Sequence, residues 1–112
     1  MFNLFRKSSH AEVGPGELNA LLQAGKAVLV DVREADEFAA GHIAGAVSMP
    51  LSTFQPTHLP RPASKMVILT CAAGRRSAMA LDKAVHARPD VSTHLAGGMG
   101  AWCSAGLPIV RG

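Results

Sequence analysis

Residues 66–77 read MVILTCAAGRRS, and this stretch decides the fold. Residues 66–70 form a short apolar run rich in β-formers, which predicts a strand buried on both faces. Cys71 stands at its end. Ala72, Ala73 and Gly74 are too small and too flexible to continue a strand, so the chain must turn there. From Arg76 to His86 the periodicity becomes helical, with Ala78, Leu81 and Val85 on one face, His86 and Arg88 near the negative helix end, and Pro89 as the stop. Strand, small-residue loop and helix in immediate succession are the beginning of a β-α unit in a parallel sheet.

The same alternation extends in both directions. Upstream, residues 17–24 place Leu18, Leu21 and Leu22 on one helical face before Gly25, residues 27–30 are a second buried strand, and Asp31 to Glu34 has the D-x-x-E spacing of a helix start. In that helix Phe38 is the inward anchor and Gly41 the stop. Residues 46–49 predict a weak strand ended by Pro50, and the proline-rich segment 55–62 a surface loop. Downstream, residues 91–95 are a further strand, and Gly97 and Gly98 turn into a short helix carrying Met99 and Trp102. The expected architecture is therefore α/β: a central, mostly parallel sheet of four to five strands with helices on both faces. Ligands of such sheets sit beyond the carboxyl ends of the strands, the edge that Asp31 and Cys71 share.

Composition bounds what this fold can do. At 112 residues and 48% apolar content the chain is one domain with enough burial to fold without disulfides or metal. Eleven glycines and seven prolines stay below the roughly 25% that marks low complexity. The longest apolar runs, 27–30 and 66–69, are far short of the ~18 residues a membrane span requires. At the start, Phe2, Leu4 and Phe5 precede Arg6 and Lys7, the reverse of a signal peptide, so a cytoplasmic location is expected. We read residues 1–11 as a short extension and 12–112 as the domain. The net charge of +3 is scattered and only five aromatics are present, which argues against nucleic acid, and the positive excess suits small anionic substrates or acidic partner surfaces equally well. Two cysteines and five histidines without ligand spacing predict neither a disulfide framework, nor a metal site, nor a bound cofactor.

The chemistry concentrates in residues 71–77. Successive amides of a loop built from Ala72, Ala73 and Gly74 can point inward as an anion nest, and the following helix N-terminus aims at the same spot. A thiol at Cys71 would there be stabilised as thiolate, helped by Arg75 or Arg76, and would be a nucleophile without a histidine base. The plainer alternative is that Cys71 is only a small buried hydrophobe. Arg75 suits contact with an anionic substrate; Arg76 is divided between that role and an internal ion pair with Asp31 or Glu37. Asp31, Arg33 and Glu37 are explained as structural support by capping and by an Arg33–Glu37 pair at i, i+4. His42 is expected to fix a loop through the backbone, Ser77 to open the helix, and Gly97, Gly98 and Trp102 to make a tight turn with a core anchor.

These residues resemble a known family. Cys71, Gly74, Arg76 and Ser77 fill the C-x-x-G-x-R-S pattern frequent in the active-site loop of rhodanese-like sulfurtransferases. Residues 30–50, VDVREADEFAAGHIAGAVSMP, are similar to the family's first block through Asp31, Arg33, Glu37, Phe38, Gly41, His42, Ile43, Gly45 and Ala46. Residues 95–102, LAGGMGAW, are similar to its late G-G-x-x-x-W element. The resemblance covers nearly all of the chain from about Glu12 to Pro108. It implies a thiosulfate sulfurtransferase type of enzyme: Cys71 takes the sulfane sulfur of a small anionic donor such as thiosulfate as a persulfide and passes it to cyanide, a thiol or a thiol-bearing protein. Ala72, Ala73, Gly74, Arg75 and Arg76 would then cradle the donor. The pattern does not demand Cys103.

Two other readings keep the same fold. A cysteine-dependent phosphatase or arsenate reductase would use a seven-residue loop ending in arginine, wide enough for a tetrahedral phosphate, whereas Cys71 through Arg76 is six. A noncatalytic interaction module would usually have lost the cysteine.

Overall fold

The computed structural model describes residues 10–112; the sequence expectation for the first nine residues lies outside them. Five strands, β1 (Ala11–Val13), β2 (Ala27–Asp31), β3 (Val47–Ser48), β4 (Met66–Thr70) and β5 (Thr93–Leu95), form one sheet in the order β1-β5-β4-β2-β3. Every pairing is parallel. Among the described residues four α-helices, α1 (Pro15–Gln23), α2 (Ala35–Ala40), α3 (Arg75–Ala84) and α4 (Gly98–Ser104), complete the α/β architecture. No helix among the described residues is long and apolar enough to cross a membrane.

Strand alternation divides the interior into two halves. Val67, Leu69 and Cys71 from β4 and its end join Val30 of β2 against Ala80, Leu81 and Ala84 of α3. Ile68 of β4 and Ala27 and Leu29 of β2 face the other way, onto Leu18 of α1 and Met99 and Trp102 of α4. Because successive side chains point to opposite faces, Cys71 inherits the α3 face from Leu69. Asp31 and Thr70 are register partners, so β2 and β4 finish level at one edge.

Several local expectations are corrected. Asp31 does not cap α2: the capping box is made by Glu34 and Glu37, and Asp31 remains the last residue of β2. Phe38 is not a core anchor but stacks on His42, ring centroids 3.8 Å apart and planes 9° from parallel. The buried face of α3 is Ser77, Ala80, Leu81 and Ala84, while Val85 is half exposed. That face is set by the contact with β4, and a stripe drawn through Ala78, Leu81 and Val85 is rotated away from it. The strand expected at 46–49 shrinks to Val47–Ser48, and the one at 91–95 to Thr93–Leu95. The 55–62 segment contains a short 3-10 turn, Pro56–His58, and buries Leu59. Arg88 holds it down, donating to Leu59 O at 2.8 Å and Pro60 O at 2.9 Å while pairing with Asp90.

Candidate active site

Cys71 leaves β4 with only 1% of its surface exposed. The loop behind it is shaped from the side by α4. Met99 N–H donates to Cys71 O at 2.8 Å and Gly100 N–H to Ala72 O at 2.9 Å, which ties both carbonyls outward. This contact is possible because residue 98 lacks a side chain: a Cβ there would lie 2.4 Å from Cys71 O, and its φ of +58° is left-handed. Gly74, at φ +107°, then turns the chain into α3. With the carbonyls held away, Gly74 N–H donates to Cys71 Sγ at 3.0 Å, and Ser77 Oγ lies 3.4 Å from the same sulfur. Burial pushes the Cys71 thiol up, but the Ser77 hydroxyl and the amides of Ser77, Gly74 and Ala73 outweigh it, so its pKa falls below the ordinary thiol value.

The flanking charges sort differently from the i, i+4 reading. Arg33 binds Asp31, with Nη2 2.7 Å from Oδ2 and Nε 3.0 Å from Oδ1, and it also donates to Gly41 O at 2.7 Å. Its contact with residue 37 is to the backbone carbonyl, at 3.4 Å, not to the carboxylate. Glu37 is instead taken by Arg76 in a two-pronged pair of 2.7 and 3.0 Å. Arg76 therefore pairs with Glu37 and not with Asp31. The side-chain hydrogen bond from Arg76 is the main reason the Glu37 carboxyl is lowered from 4.5 to about 2. Of the two roles open to Arg76, the internal ion pair is the one present, with Glu37, and Arg75 is exposed at the start of α3. His42 Nδ1 lies 2.8 Å from Phe38 O, and the His42 backbone pairs with that of Val110, so the residue ties α2 to the C-terminal segment.

Sequence reasoning missed His94 and Glu12. His94 is buried in β5, and its Nδ1 lies 2.7 Å from Ser77 Oγ. A signal existed in the alternation: Thr93 and Leu95 point one way, so His94 must point the other, toward α3. Cys103 is exposed on α4, and both cysteines are free. A surface cavity of about 490 Å³ lined by Arg61, Lys65, Met66, Arg88 and Asp90 lies at the opposite end of β4. Its lining includes Ser64 and Lys65 but no cysteine, and Arg88 there is already paired with Asp90.

A buried thiol in an amide-lined loop at the carboxyl edge of a parallel sheet defines the class: a cysteine-loop α/β protein. The family model of the rhodanese-like domain matches residues 14–105, and the chain belongs to that family. An uncharacterized protein of Synechocystis sp. is 40% identical over 103 residues, covering 92% of this chain and 58% of that protein, so the chain spans little more than half of that relative. Among solved structures, the thiosulfate sulfurtransferase of Pseudomonas aeruginosa superposes with a TM-score of 0.79 at 27% identity, over 92% of this chain and 20% of that one. A Rhodopseudomonas palustris protein of unknown function, called "Possible Tyrosine Phosphatase", gives 0.77 at 30% identity, over 92% and 86% of the two chains.

Proposed function

We propose that the chain is a sulfurtransferase of the thiosulfate type. The Cys71 thiolate attacks the outer sulfur of thiosulfate, forming an S–S bond as the old one breaks and its electron pair leaves with sulfite. An acceptor nucleophile, cyanide or a thiol, then attacks the outer sulfur of the persulfide and returns the thiolate. The observation that carries this reading is Gly74 N–H on Cys71 Sγ at 3.0 Å, in a loop whose first three residues after the cysteine are no larger than alanine. Such a nest holds one added sulfur and its charge. Arg75 attracts the donor's oxygens from the rim, and a thiol nucleophile of this kind works in a reducing, cytoplasmic setting.

A phosphatase is the competing reading, favoured by the likeness to the R. palustris protein. Against it, Arg76, which would have to embrace a phosphoryl group, is already bound to Glu37. Intact-mass measurement after thiosulfate treatment separates the two. The expected result is one sulfur atom gained by the wild type and by Cys103→Ser, discharged by cyanide, and none gained by Cys71→Ser. Equal gain in the Cys71 variant, or Cys71-dependent turnover of a phosphomonoester without sulfur loading, overturns the proposal.

A further inference from the structure

One buried titratable side chain has no part in the reaction as proposed above. His94 sits in β5 with register partners Leu69 of β4 and Glu12 of β1. All three side chains therefore share the face covered by α3. Its Nδ1 lies 2.7 Å from Ser77 Oγ, and Ser77 Oγ lies 3.4 Å from Cys71 Sγ. Its Nε2 is buried without a hydrogen-bond partner, and Glu12 Oε2 stands 3.6 Å away. Buried polar atoms are nearly always satisfied, so an unsatisfied nitrogen directed at a carboxylate calls for an explanation.

We propose that His94 is a positioning residue that acts on Cys71 through Ser77: it receives the proton the thiol gives up, and Glu12 holds the resulting imidazolium. In the resting state of this relay the thiol donates to Ser77 Oγ, Ser77 donates to His94 Nδ1 at 2.7 Å in preference to the Gly74 carbonyl at 3.2 Å, and the imidazole proton is on Nε2. On activation the thiol proton passes to Ser77 Oγ as the hydroxyl proton passes to His94 Nδ1. No other bond changes; the products are a thiolate and an imidazolium. Ser77 now receives a hydrogen bond from Nδ1 and donates one to the thiolate, and the Nε2–H faces Glu12.

The other groups around the ring are compatible with this. His10, immediately before β1, meets the His94 ring edge-on with centroids 6.4 Å apart, and its Nε2 is 2.6 Å from Asp82 of α3. Burial lowers the His94 pKa and favours the neutral ring, with Glu12 opposing and His10 adding to the shift. The relay serves the proposed sulfur transfer and rests on that reading for its purpose, but the proton path stands on its own geometry.

The test is an ultraviolet titration of thiolate in a Cys103→Ser background, where Cys71 is the sole absorbing thiol. His94→Asn, which can still bond Ser77 but cannot take a proton, is expected to move the Cys71 midpoint upward by about one unit, a tenfold loss of thiolate below it. Glu12→Gln, on a carboxylate 41% exposed whose loss leaves the core intact, is expected to move it the same way by less. Should His94→Asn fail to fold, Glu12→Gln carries the test alone. Midpoints that superpose on the parent protein overturn the relay. The sulfur-loading measurement is separate: loading with unmoved midpoints sinks the relay alone, and moved midpoints without loading sink the sulfurtransferase reading alone.

Discussion

β2 and β4 lie side by side and end level, yet they treat the charge at their ends in opposite ways. At the end of β2, Asp31 is fully buried and saturated: the Arg33 side chain covers both carboxylate oxygens with three hydrogen bonds, and the Arg33 amide adds a fourth at 3.0 Å. At the end of β4, Cys71 is equally buried, but what converges on its sulfur is neutral, backbone amides and one hydroxyl. A carboxylate facing a guanidinium is closed to new partners. A sulfur facing dipoles can gain, hold and lose charge, because dipoles stabilise an anion without neutralising it. The difference teaches which strand end supports the scaffold and which can carry chemistry, although both stand on the edge where α/β sheets bind ligands.

The largest stability effect is expected on the closed side. Asp31→Ala leaves Arg33 buried and unpaired, and equilibrium denaturation should show a loss of about 3–5 kcal/mol; Cys71→Ser should cost far less while removing sulfur loading entirely. Similar losses from both would erase the distinction. Next comes Gly98→Ala, which combines a left-handed backbone with a Cβ driven against Cys71 O. A destabilisation of about 2–3 kcal/mol is expected, together with an upward shift of the Cys71 midpoint as the loop amides lose their aim. A stable variant with an unmoved thiol would show that α4 does not shape the nest.

The smallest effect belongs to the ion pair between the two ends. Glu37 titrates at about 2 in the folded chain against 4.5 ordinarily, so the folded state binds its proton more weakly than the unfolded one. Its contribution is complete above pH 4.5 and is lost as pH falls from 4.5 to about 2. Both partners are about one-third exposed, which discounts the pair to about 1 kcal/mol or less. Glu37→Gln should flatten the acid limb of the stability curve in that window and nowhere else, as read by chemical denaturation at a series of pH values.

Sequence legibility followed the range of the interaction. The Met66–Thr70 strand, the turn at Gly74 and the position of Cys71 at a strand end come from contiguous residues, and the structure places all three there. The pairing of charges did not follow from spacing. Arg33 and Glu37 are four apart and look like helical partners, but Arg33 precedes α2, so its side chain turns back to Asp31 and frees Glu37 for a partner 39 residues away.

The sequence by itself determined the parallel α/β sheet, its buried strands and a cysteine opening a six-residue loop, because hydrophobic period and small-residue turns act over a few bonds. Only the tertiary structure decided which guanidinium meets which carboxylate, how α4 pulls the loop carbonyls aside, and that His94 reaches Ser77 from another strand. Those outcomes depend on strand order and register, which bring together residues the chain keeps far apart.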